Sequence, residues 1–145
     1  MITDGKIIGF TCGAMDLLHC GHLMMLKECK SKCDLLIVGL HTDPTIDRPE
    51  KNKPIETIEE RRERLQACKY VDKIIEYDTE EELYHILKRL QPVIDVRFIG
   101  ADWEGKKFTG DDLDIHVCFN SRNHNYSSTN LRKRIYEAES KCINS

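Results

Sequence analysis

The amino-acid sequence predicts an α/β protein: one domain with an open, mainly parallel five-stranded sheet and helices on both of its faces. Three observations carry that expectation. Residues 35–40, Leu35-Leu36-Ile37-Val38-Gly39-Leu40, form a continuous apolar run, the pattern of a strand covered on both faces, as parallel sheets require. Short runs of this kind alternate along the chain with segments of helical period. Two capping boxes, Thr57 with Glu60 and Thr79 with Glu82, mark helix starts between them.

Taken in order, Lys6 to Thr11 is a short apolar run that stops at a polar turn, so it reads as the first strand. From about Leu18 to Lys32, Leu23, Leu26 and Cys29 recur at helical spacing, and Lys27, Lys30 and Lys32 collect where the helix dipole favours cations. Asp34 to Leu40 is the second strand, and the strand-helix-strand unit implies a right-handed crossover. Residues 41–56 are polar and hold Pro44, Pro49 and Pro54, which predicts a loop. A helix from Thr57 to roughly Lys69, a strand from Lys73 to Tyr77 and a helix from Thr79 to about Leu90 follow, Pro92 lying just beyond the last. Val96 to Gly100 and Asp114 to Phe119 are the remaining strands, and Ser127 to about Ser140 is a closing helix.

The chain has 145 residues, a length that predicts a single domain over 1–145. A chain of that size buries about two-thirds of its unfolded surface. Lys and Arg number 22 against 25 Asp and Glu, a net charge of −3, which argues against nucleic acid as a partner. The 40% apolar content excludes a disordered chain, and no apolar run approaches the ~20 residues of a membrane span. Residues 1–6 lack the basic-then-apolar pattern of a secretory signal, so a cytoplasmic protein is expected. The seven cysteines contain no C-x-x-C pair and read as thiols. A zinc set of His19, Cys20 and His22 lacks a second ligand pair at metal spacing, so no metal ligand is assigned.

In open α/β sheets, ligands bind beyond the carboxyl ends of the strands, where the strand order reverses. Four predicted strands end in polar segments: 11–22, His41-Thr42-Asp43, 100–106, and Arg122 with Ser127-Ser128-Thr129. His19 and His22 fall on one face of a first helical turn, and Gly21 between them leaves the backbone open to a ligand. Free N–H groups and the positive dipole end make such a turn an anion site, with two imidazoles as donors. Ser127, Ser128 and Thr129 open the last helix; they can cap it or hold phosphate. Arg122 offers a planar fork. Lys51 and Lys53 lie on alternate residues of the long loop, and Arg61, a cation near a helix start, calls for an anionic partner.

On these residues the sequence resembles the HxGH nucleotidyltransferase superfamily and, within it, the cytidylyltransferases of the glycerol-3-phosphate type. The likeness runs from Ile7 to about Ile135. It is carried by residues 13–22 with His19-Cys20-Gly21-His22, by Lys51-Asn52-Lys53-Pro54, Glu60-Arg61, Tyr70-Val71-Asp72 and Gly100-Ala101-Asp102-Trp103-Glu104-Gly105-Lys106, and by Arg122 with Ser127-Ser128-Thr129. The resemblance implies a Rossmann-like domain, a homodimer, and the reaction of CTP with a small phosphorylated alcohol to give a CDP-alcohol and pyrophosphate, with Mg²⁺ bound alongside the triphosphate. His19, His22, Lys53 and Arg122 are then expected to be catalytic. Ala14, Met15, Asp16, Gly21, Asp102, Ser127, Ser128 and Thr129 are expected at the nucleotide, and Lys51 and Arg61 at the acceptor. Asp102 is assigned to the exocyclic amine of cytosine, Asp16 to anchoring the turn or placing Mg²⁺ through water, Trp103 to packing beside the nucleotide or in the core, with the core favoured, and Asp72 to a structural or interfacial role.

The sequence also departs from that pattern. Ala14-Met15 replaces Thr-Phe, Asn125 replaces a glycine in the segment 122–127, and Lys69 replaces an arginine. These changes leave the reaction type in place and open the identity of the acceptor. Two other readings follow: an adenylyltransferase making a flavin or nicotinamide dinucleotide, and a non-catalytic nucleotide-binding module.

Overall fold

A computed structural model describes residues 5–122 and 124–144. The N-terminal reading of residues 1–4 and the place of Asn123 in the segment 122–127 lie outside the described residues. Five strands, β1 (Ile8–Gly13), β2 (Leu35–His41), β3 (Lys73–Tyr77), β4 (Val96–Gly100) and β5 (His116–Asn120), form one sheet in the order β3-β2-β1-β4-β5. Every adjacent pair is parallel. The helices are α1 (Cys20–Ser31), α2 (Ile58–Gln66), α3 (Glu80–Leu90) and α4 (Ser128–Ile143). The chain moves outward from β1 to β3, then returns to place β4 on the other side of β1, so the order reverses between β1 and β4.

The single domain is Rossmann-like, as expected, and its sheet is wholly parallel. One core packs α3 against Ile8, Phe10, Ile37 and Tyr77 through Leu83, Ile86 and Leu87. The other packs Leu26 and Cys29 of α1 and Leu65 of α2 against Leu36, Val38, Leu40, Val96 and Phe98. Side chains alternate between the faces, which is why neighbours such as Ile37 and Val38 serve different cores.

Of the two expected capping boxes, Thr57 with Glu60 forms in full, while Thr79 caps its helix without a return bond from Glu82. The Thr57 hydroxyl accepts from the Glu60 N–H at 3.1 Å while the Glu60 carboxylate accepts from the Thr57 N–H at 3.0 Å. The Thr79 hydroxyl accepts from the Glu82 N–H at 3.1 Å. Helices α1 and α2 are shorter than expected, and the loop 41–56 contains one 3₁₀ turn, Pro44–Ile46, capped by the Asp43 carboxylate. Strand β5 starts at His116 and not Asp114, because Asp114 lies before the register in which His116 pairs with Val96.

Carboxylates fix the amino edge of the sheet. Asp34 accepts from the Ile7 N–H, Asp95 from the Ile8 N–H and Asp72 from the Leu36 N–H, at 2.7–2.8 Å. Asp72 also pairs with Lys30 at 2.5 Å, contacts that give it a structural role within the chain. The carboxyl edge is left to the segments that carry the chemistry. No helix of the described residues is long and apolar enough to cross a membrane.

Candidate active site

The turn between β1 and α1 is backbone-strained. Met15, Leu17 and Leu18 all have positive φ, at 52°, 64° and 29°, a region that costs a non-glycine residue of order 1–3 kcal/mol. A reciprocal clamp holds it. The Asp16 carboxylate accepts from the Ile55 and Glu56 N–H groups at 2.9 and 3.0 Å, and the Glu56 carboxylate accepts from the Leu17 N–H at 2.8 Å. Arg64 closes on Glu56 at 2.6 Å.

That turn delivers the imidazoles. Nδ1 of His19 accepts from the Gly21 N–H at 3.0 Å, and Nδ1 of His22 accepts from the His19 N–H at 3.1 Å. The two rings stack with centroids 3.8 Å apart. Because both Nδ1 atoms are acceptors, a neutral ring at either position carries its proton on Nε2. Burial, reinforced by the neighbouring His19, lowers His22 to a pKa of about 4. Burial, with His124 and Arg122 nearby, also lowers His19. Two neutral imidazoles therefore stand side by side as Nε2–H donors.

A cavity of about 520 Å³ opens over the carboxyl ends of β1 and β4, at the reversal of strand order. Its wall includes Ala14, Met15 and His22 from the turn, Arg48 and Lys51 from the long loop, and Arg122 beyond β5. A smaller cavity of about 230 Å³ joins the start of α1 to the start of α4, between His19, Cys20, Tyr126 and Ser127. Of the two stacked imidazoles, His22 lines the first cavity and His19 the second.

Several expected site residues take other places. Arg61, expected at the acceptor, is turned inward: it is 3% exposed, and its guanidinium donates to the carbonyls of Glu56, Ala14, His41 and Thr42 at 2.5–3.1 Å. Asp16, expected at the nucleotide, uses both oxygens on the clamp, where it anchors the turn, and lies outside the main cavity wall. Gly21 does not leave open backbone for a ligand. A Cβ there would lie 2.9 Å from the rings of His124 and His19 and 3.0 Å from Tyr126, so the glycine admits the 124–126 segment. Asp102 lies outside the main cavity wall and pairs with Arg122 at 2.7 Å, both exposed. Lys53 is exposed and outside both cavity walls. The Ser127 hydroxyl caps α4 by accepting from the Asn130 N–H at 3.0 Å; Ser128 and Thr129 line neither cavity. Trp103, expected in the core, stands in the cavity wall with the Arg48 guanidinium 5.5 Å above its ring.

The structure adds residues that sequence reasoning passed over. Arg48, Tyr77, Glu80, Arg97, Thr109 and Asn120 all line the main cavity. Arg48 was hidden in a loop read only for its prolines and lysines. Arg97 had a signal: it is a lone cation inside a buried parallel strand, a position that needs a reason.

Among the described residues no group of three or more His, Cys, Asp or Glu side chains could hold a metal ion. No protein-only metal cage is therefore assigned; a Mg²⁺ ion carried on a triphosphate needs one or two protein carboxylates at most.

A strained turn, a pair of neutral imidazole donors and a cation-lined cavity thus come together at the reversal point of a Rossmann-like sheet. The chain belongs to the cytidylyltransferase-like family, whose model matches residues 10–134. It is 36% identical to the bifunctional protein HldE of Aliarcobacter butzleri (strain RM4018) over 141 residues, 97% of this chain and 29% of that protein. It is 38% identical to HldE of Wolinella succinogenes over 110 residues, 75% of this chain and 23% of that one. The chain thus spans less than a third of the length of these relatives. Among solved structures, the lipopolysaccharide core biosynthesis protein of Thermoplasma volcanium GSS1 superposes with a TM-score of 0.68 at 25% identity, covering 83% of this chain and all of that one. A putative nicotinate-nucleotide adenylyltransferase of Vibrio parahaemolyticus shares the fold at a TM-score of 0.58 and 18% identity, over 92% and 88% of the two chains.

Proposed function

We propose that this nucleotidyltransferase domain moves a nucleotidyl group from a nucleoside triphosphate to a small phosphorylated alcohol, with CTP as donor, giving a CDP-alcohol and pyrophosphate. The observation that carries the reading is the stacked pair of Nε2–H donors at the mouth of a cavity lined by Arg48, Lys51 and Arg122. The acceptor's phosphate oxygen attacks the α-phosphorus; one P–O bond forms as the bond to the pyrophosphate oxygen breaks. The nucleophile belongs to the substrate, so the chain needs no serine or cysteine attack. His19 and His22 donate hydrogen bonds to the oxygens of the α-phosphate, where charge grows in the transition state. Lys51 and Arg122 neutralise the two substrates' phosphates, and the Arg122–Asp102 pair opens to release that fork. Mg²⁺ in this proposal arrives on the triphosphate oxygens, as Mg²⁺ commonly does, and no step is assigned to it. The homodimer implied by the resemblance belongs to the same proposal.

A second reading keeps the transfer and changes the substrates to ATP and a saccharide phosphate. Two observations favour it: Asp102, the expected cytosine reader, stands outside the cavity, and the Thermoplasma neighbour is described as a lipopolysaccharide core biosynthesis protein. Pyrophosphate release with CTP or ATP against glycerol 3-phosphate and hexose 1-phosphates separates the two. Turnover with CTP and glycerol 3-phosphate supports the first; turnover with ATP and a sugar phosphate alone replaces it with the second. Nucleotide binding with no turnover on any acceptor contradicts both.

A further inference from the structure

The main cavity continues past β1 onto the α3 face of the sheet, away from the HxGH helix. Its wall there is Cys12, Tyr77, Leu83, Arg97, Phe108 and Thr109. Arg97 is the second residue of β4 and is 5% exposed. Its Nη1 donates to the Thr109 carbonyl, and its guanidinium lies 5.2 Å over the Phe108 ring. Its Nε is buried with no hydrogen-bond partner among the described residues.

No carboxylate among the described residues pairs with this cation. Glu80, the one acid in the cavity wall, is committed elsewhere: one oxygen faces Arg48 at 3.4 Å and the other accepts from the Thr109 hydroxyl at 2.9 Å. The Cys12 thiol lies beside the guanidinium, and burial holds it in the neutral form. A buried charge without a partner is costly, yet the fold makes room for this one. Gly110, at a φ of +84°, has its missing Cβ position 2.9 Å from Nη1.

We infer that the acceptor carries a second anionic group, besides the phosphate that attacks, and that Arg97 holds it on the α3 side of the cavity. The inference rests on the nucleotidyl-transfer reading and narrows its acceptor to a phosphorylated compound with a further carboxylate or phosphate. A guanidinium with an unmet donor in a cavity wall matches the planar, bidentate geometry of either group. The transfer reading assigns the triphosphate, the other anion in the reaction, to the HxGH turn across the sheet, so nucleotide affinity is not expected to depend on Arg97.

The test compares three acceptors by pyrophosphate release: glycerol 3-phosphate, 3-phosphoglycerate, which adds a carboxylate, and glucose 1,6-bisphosphate, which adds a second phosphate. Wild-type protein is expected to favour one of the two doubly anionic acceptors by about tenfold or more in kcat/KM. Arg97→Met, which fills the site with an apolar chain, is expected to erase that preference while nucleotide affinity by titration stays within about twofold. Thermal unfolding checks that the variant folds. If it does not, Arg97→Lys keeps the charge, removes the fork, and is expected to reduce the preference. Equal or better turnover of glycerol 3-phosphate in wild-type protein overturns the inference and leaves the transfer reading intact, as does a preference that survives in Arg97→Met or, where that variant does not fold, in Arg97→Lys. Nucleotide binding with no pyrophosphate from any acceptor removes the transfer reading, and the inference with it.

Discussion

His22 is the residue on which sequence and geometry agree most closely. Spacing placed it one helical turn from His19, and the structure shows why three residues is the useful interval: each Nδ1 caps a different N–H of the same turn. Spacing could not reveal the tautomer, which depends on those bonds. The lowered pKa has a consequence for stability. His22 moves from an ordinary 6.5 to about 4, so the folded state binds its proton less readily than the unfolded one. Its contribution is full above about pH 6.5 and is lost as the pH falls toward 4. The melting temperature of wild-type protein is expected to drop across that window, and His22→Gln to reduce the drop; equal slopes in the two proteins would show that the ring is not held neutral. Arg61 shows the opposite case. Sequence marked it as a cation lacking an anion, and the structure satisfies it with carbonyls. Arg61→Met leaves those four carbonyls without their donors, and is expected to cost about 3 kcal/mol in denaturant unfolding, with the KM for the acceptor unchanged in whatever fraction stays folded. A raised KM at full stability would return Arg61 to the substrate.

At the scale of elements, the strands and helices were legible because their signals are local. Apolar runs and capping boxes depend on near neighbours, so Lys73–Tyr77 and Val96–Gly100 emerge with the expected bounds. The Asp16–Glu56 clamp was not legible, since it joins residues about forty positions apart through backbone N–H groups. The same holds for Gly21, whose neighbour is the 124–126 segment and not a ligand. Gly21→Ala would press a methyl carbon to 2.9 Å of the His19 and His124 rings. It is expected to displace that segment and lower turnover by about 10²-fold, the scale of a 1 Å misplacement, while far-UV circular dichroism stays native. Unchanged turnover would show that the contact between the starts of α1 and α4 does not position the imidazoles.

Across the whole molecule, charge is sorted by edge. Asp34, Asp72 and Asp95 tie down the amino ends of the strands, while Arg48, Lys51, Arg97 and Arg122 face the cavity at the carboxyl ends. A chain of net charge −3 thus presents a cationic site, which net charge alone conceals. Helix α4 contributes little to the core: Ile135, Tyr136 and Ile143 are 52–73% exposed. The proposed dimer is expected to sediment at micromolar concentration with about twice the 16.9 kDa of the chain; a single species of 16.9 kDa contradicts it. The account as a whole depends on the two imidazoles acting as one unit on the α-phosphate. The decisive measurement is kcat for pyrophosphate release by His19→Ala, His22→Ala and the double variant, each confirmed folded. Each single change is expected to lower kcat by about 10²–10³, and the double change to cost little more than one of them, as members of a unit do. A folded His22→Ala protein that turns over near the wild-type rate would contradict the claim.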